Sequence, residues 1–171
     1  LNPNSGDVVF TDLGWTDTKS ESPCGGDGVG TVYPPTLEVG TTLGTAEPGV
    51  GVIEQILLYP SSSVAGEALG YGLTMFECGT SPDGVYTFGE PIDVTASVVT
   101  DPEVSFEADY SITAIEFTGD DASGSMWIAR YNDSLIVFQF VRTDDFPIDT
   151  LPLQPADVVG MGLSKVFAFL A

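Results

Sequence analysis

An all-β, antiparallel fold is what this sequence predicts: a single-domain β-sandwich or jelly roll of about ten short strands with little helix. Three observations predict it. Apolar residues recur at every second position, as in half-buried strands and not as in helices. Aromatic and β-branched residues gather in runs of strand length. Twenty Gly and twelve Pro punctuate the chain at close intervals, as turns between short strands require.

The alternation is clearest over residues 104–114. Val104, Phe106, Ala108, Tyr110, Ile112 and Ala114 alternate with Ser105, Glu107, Asp109, Ser111 and Thr113. One face is apolar and the other wet, the signature of an antiparallel strand on a core. Beyond Ala114 the pattern slips, because Glu116 enters the apolar row while Ile115 and Phe117 enter the polar one. A bulge, a bend or a switch between sheets is expected near residue 115.

Residues 125–131 and 134–142 read as a hairpin around Asn132-Asp133, two residues that tolerate positive φ. A turn that tight sets Trp127 opposite Phe138 and Ala129 opposite Ile136. Trp127, Ala129, Ile136, Phe138 and Phe140 then share one face, and Ile128, Leu135, Val137 and Val141 the other. With both faces apolar, the hairpin belongs at the centre, covered on both sides.

Further strands are expected at 7–13, 30–33, 37–43, 71–78, 85–88, 92–99 and 163–170. Residues 51–59 fit a short helix or a strand. Residues 19–28, 61–70, 81–84, 119–124 and 143–154 carry turn and loop chemistry. No internal repeat or second domain interrupts the chain, so 1–171 reads as one β domain, with 1–6 as an extended N-terminal arm.

Twenty-five Asp and Glu face four basic residues, Lys19, Arg130, Arg142 and Lys165, for a net charge of −21. Such a surface repels nucleic-acid phosphates and anionic membranes, so neither is an expected partner. It suits solubility, tolerance of high salt, or divalent-cation binding. The longest apolar runs, 135–141 and 166–170, are strand-sized and far short of the ~20 residues of a membrane helix. The polar opening Leu-Asn-Pro-Asn-Ser-Gly-Asp is unlike a signal peptide, and the absence of an initial Met is expected from export or processing, from trimming, or from a start codon other than ATG.

The chain has no histidine, which excludes a Ser-His-Asp triad, a Cys-His pair and the common catalytic zinc sites. Residues 24–30, Cys-Gly-Gly-Asp-Gly-Val-Gly, fail the spacing of dinucleotide and P-loop motifs and read as a loop. Cys24 and Cys78 lie in loop-like settings, either bridged across a long loop or as two free thiols. Asp120, Asp121, Asp144 and Asp145 form two adjacent acid pairs and are the candidate calcium ligands, calcium being the one cofactor considered. Trp15 is the candidate ligand-stacking aromatic, and Tyr33, Tyr71, Tyr86, Trp127 and Tyr131 are further aromatics. Glu107, Asp109 and Glu116 are the strand carboxylates that a two-acid glycosidase would draw on. Asn132-Asp133-Ser134 matches a glycosylation sequon.

These readings converge on a non-enzymatic structural subunit that forms or decorates an extracellular assembly: a virion shell, a phage tail or a surface filament. Its expected partners are further copies or other subunits of the particle. The alternatives are a secreted carbohydrate-binding module, supported by calcium, and a two-carboxylate glycosidase.

Overall fold

The computed structural model describes residues 22–44, 49–98, 110–120, 122–143 and 154–170, with the side chains of 42–44 and 167–170 excepted. The expected strand at 7–13, the arm at 1–6, the start of the alternating segment at 104–109 and the stretch 144–153 lie outside the described residues.

The molecule is mostly antiparallel β-sheet, layered like a sandwich, with few helices. Among the described residues the strands are β1 (Leu37–Gly44), β2 (Val50–Leu58), β3 (Tyr86–Phe88), β4 (Ile92–Asp93), β5 (Tyr110–Gly119), β6 (Ala122–Tyr131) and β7 (Ser134–Thr143). They form one sheet in the order β1-β2-β7-β6-β5-β3, with β4 also pairing β5. The outer layers are helical. Helix α2 (Ser62–Thr74) covers one face and α3 (Pro155–Leu170) the other, while α1 (Val29–Val32) is a single turn.

The central hairpin adopts the register expected from its turn. Trp127 pairs with Phe138 and Ala129 with Ile136. Asn132 takes the positive φ of 52° that closes the turn. The two apolar faces feed two separate cores. Leu57, Ile128, Leu135, Val137 and Val141 pack with Ala65 and Ala68 of α2. Ala129, Ile136 and Phe138 pack with Val159, Leu163 and Val166 of α3.

This double cover corrects the reading of residue 115. No bulge interrupts β5, which pairs with β6 in unbroken register from Tyr110–Tyr131 to Thr118–Ser123. The pattern slips because the buried face changes. Ile112 belongs to the α3 core, whereas Ile115 and Phe117 belong to the α2 core.

Three expected strands are helical. Residues 30–33 fall largely in α1, 71–78 in the end of α2 and the turn after it, and 163–170 in α3. Helix α3 begins with proline at its first position, where no amide donor is needed, and Asp157 accepts a hydrogen bond from the Gln154 amide at 3.2 Å. Its buried residues Val159, Leu163 and Val166 recur at helical spacing. Helix α2 is capped by Ser61, whose hydroxyl accepts from the Val64 amide, and it buries only small residues: Ala65, Ala68 and Gly72. The helix can therefore lie close to the sheet.

The expected strand at 92–99 shrinks to two residues. Asp93 accepts from the Thr95 amide at 2.9 Å and the Ser97 hydroxyl donates to the Val94 carbonyl at 2.7 Å. These local bonds favour a 3-10 turn at Thr95–Ser97 over the ladder.

Candidate functional site

Cys24 and Cys78 are joined by a disulfide with their Cα atoms 5.6 Å apart. Gly25 and Gly26 have φ values of 85° and 95°, which lets the chain double back immediately after Cys24. The Tyr71 hydroxyl donates to the Asp27 carbonyl at 2.8 Å, and the Tyr33 and Tyr71 rings meet at 5.8 Å. The loop after Cys24 and the short helix α1 that follows it are thus clipped to α2 by a hydrogen bond and a ring contact, and to the turn beyond α2 by the disulfide.

The other candidate residues scatter. Asp120 is exposed at the β5–β6 turn, while Asp121, Asp144 and Asp145 lie outside the described residues. No group of three or more metal-ligating side chains occurs among the described residues. Trp15, Glu107 and Asp109 also lie outside the described residues, and Glu116 is exposed on β5. Trp127 is half-buried against the α3 core and donates its indole N–H to the Ser125 hydroxyl at 2.9 Å. Tyr86 packs on Phe88 and Phe117.

Two features stand out that residue-by-residue reading did not isolate. The first is β1, eight residues long and paired with β2 along its whole length. Among the described residues β2 is its sole partner, and none of them pairs with its other side. Leu37 and Val39 on that strand are 54% and 47% exposed. Edges are ordinarily blunted by lysine, proline or a bulge. This strand carries none of them, and Glu38 is its one charge.

The second is a line of polar groups on the α2 face. Glu38 on β1 is exposed. Its carboxylate accepts a short hydrogen bond from the amide nitrogen of Gln55 on β2. Gln55 pairs with Val137, two residues from Gln139 on β7, so the two glutamines are diagonal neighbours on one face. Gln139 is 1% exposed, and neither its amide nitrogen nor its oxygen has a hydrogen-bond partner. Near the other end of the line is Tyr59. Burial, reinforced by the Glu38 charge, pushes its phenol up to about 12. Periodicity registered none of these, because a lone Gln in an apolar run looks like an ordinary outward position.

On the α3 face, Glu54 lies half-buried opposite Phe138. Burial raises its carboxyl above the ordinary value and Lys165 partly offsets this.

No helix among the described residues is long and apolar enough to cross a membrane. No protein-family model matches the chain, and no curated protein matches it. Among solved structures it is similar to the extracellular domain of PknH from Mycobacterium tuberculosis, with 11% identity, 82% of this chain and 70% of that chain covered, and a TM-score of 0.45.

Proposed function

We propose that the chain is a non-enzymatic structural subunit of an extracellular assembly, joined to further copies of itself through the open edge of β1. The observation that carries this is the eight-residue edge strand with Leu37 and Val39 exposed. Such a strand offers a row of main-chain donors and acceptors to another chain, with two apolar side chains to hold it there. The Cys24–Cys78 disulfide supports an oxidising location, since such bridges persist mainly outside the cytosol. Virion shell, phage tail and surface filament are the settings that suit these properties.

Charge sets the conditions. Two copies at −21 each repel, and salt shortens the range of that repulsion to about 8 Å at physiological ionic strength. Association through β1 therefore strengthens with salt. Sedimentation velocity and negative-stain microscopy across a concentration and salt series test this. Oligomers that grow with both variables and vanish in Val39→Lys support the reading. A strictly monomeric protein at every concentration and salt level rules it out.

A further inference from the structure

Ser22 and β1 lie at opposite edges of the sheet. Ser22 is two residues from Cys24, which is bonded to Cys78. The residue after Cys78, Gly79, accepts a hydrogen bond from the Phe88 amide of β3 at 2.8 Å. Strand β3 ends the order β1-β2-β7-β6-β5-β3, five spacings or roughly 24 Å from β1. The chain that precedes Ser22 therefore starts from the edge opposite β1.

Composition narrows which stretch outside the described residues can pair with β1. Residues 7–13, Asp-Val-Val-Phe-Thr-Asp-Leu, have strand length, no proline, and β-branched or aromatic residues throughout 8–11. Residues 144–153 contain Pro147 and Pro152, which have no main-chain donor to give. Residues 99–109 join Val98 to Tyr110 beside β5, four spacings or roughly 19 Å from β1, so the path out and back would consume them.

We infer that residues 7–13 of one copy pair with β1 of the next and add a strand to its sheet, an inference that rests on β1 as the joining edge and names what occupies it. Symmetry favours this over β1 against β1. That pairing repeats one surface about a two-fold axis and stops at a dimer, whereas a donor leaving the β3 edge and an acceptor at the β1 edge are different surfaces, so each copy both gives and receives. Reach favours the next copy over the same one. Residues 14–21 span at most ~29 Å, and a crossing of roughly 24 Å leaves little for climbing over the helix that covers either face. Val8 and Phe10 share one parity, as do Leu37 and Val39, so two apolar side chains can lie beside the exposed pair.

The test uses the full disulfide-bonded chain with the photo-crosslinking residue p-benzoylphenylalanine in place of Phe10. Unlabelled and nitrogen-15-labelled chains are mixed, brought to high salt, irradiated and digested. The expected product joins residues 7–13 to residues 37–44, with peptides of both isotopes in one crosslink. Val9→Pro, which removes a main-chain donor from the segment, should lower the oligomer fraction by about tenfold or more while the thermal midpoint of the monomer stays put. Crosslinks to 37–44 that never mix isotopes would show the segment lying on its own sheet and overturn the inference. Oligomers that are lost in Val39→Lys but crosslink elsewhere, or that form equally well in Val9→Pro, overturn it too while leaving β1 as the joining edge, with a second β1 as its occupant. A chain that stays monomeric throughout overturns both readings.

Discussion

The Phe138 ring occupies the space that a Cβ on Gly162 would need, with ring carbons 2.6 Å from that position. Phe138 is buried on the central strand and Gly162 lies on α3, so this glycine lets helix and sheet touch. Gly162→Ala is expected to destabilise by about 1–3 kcal/mol through overpacking, even though Ala is the better helix former. Gly70 on α2 is the control. It is exposed with nothing within 4 Å, so Gly70→Ala should stabilise by about 0.5–1 kcal/mol. Urea denaturation of the two variants checks the opposite signs.

The Cys24–Cys78 bridge closes a long loop that contains β1, β2 and α2. Replacing both cysteines by serine should cost about 4 kcal/mol in the chain-entropy picture. The loss should appear as a lower denaturation midpoint of the double variant relative to the oxidised protein. A midpoint that does not move would show that Tyr71 and the packing of α1 hold the loop without covalent help.

Glu54 should make stability pH-dependent in a defined direction. Burial raises its carboxyl above the ordinary 4.5, with Lys165 opposing. The folded state thus holds the proton more tightly than the unfolded chain does. Its contribution is present below 4.5 and is lost as pH rises through the raised folded value. Glu54→Gln should flatten the stability profile in that window, as read by thermal melts at successive pH values.

Tyr59 behaves alike at alkaline pH. Its phenol is raised from 10.0 to about 12, so its contribution is present below 10 and lost as pH rises towards 12. Absorbance titration should show a tyrosine ionising near pH 12 that is missing from Tyr59→Phe. Because its hydroxyl is buried without a hydrogen-bond partner, Tyr59→Phe should stabilise by about 1 kcal/mol. A destabilised variant would mean that the hydroxyl does find a partner in solution.

Much of the sheet was legible in the sequence. The 134–142 run, apolar at nearly every position, announced a central strand, and the Asn132-Asp133 turn then set the register of β6 against β7. The helices were obscured for opposite reasons. Residues 61–70 are so rich in Gly, Ser and Ala that they read as a loop, whereas most of them form α2, which packs through small residues. Val166-Phe-Ala-Phe-Leu170 reads as a strand because β-branched and aromatic residues dominate it. The better signal was Pro155 followed by Val159, Leu163 and Val166 at spacings of four and three. The polar line could not be seen at all, because Gln139 joins Glu38 and Gln55 only once β7, far along the chain, lies beside β2.

The order of strands also dictates the order of assembly. β5, β6 and β7 are consecutive hairpins within residues 110–143, so each closes a short loop. β2 must instead find β7 across the long stretch of chain between Leu58 and Ser134, and β1 follows β2. The β2–β7 seam therefore zips late and parts first. Amides along it should exchange with deuterium sooner than those between β6 and β7, and the pair β1–β2 should peel away as one flap.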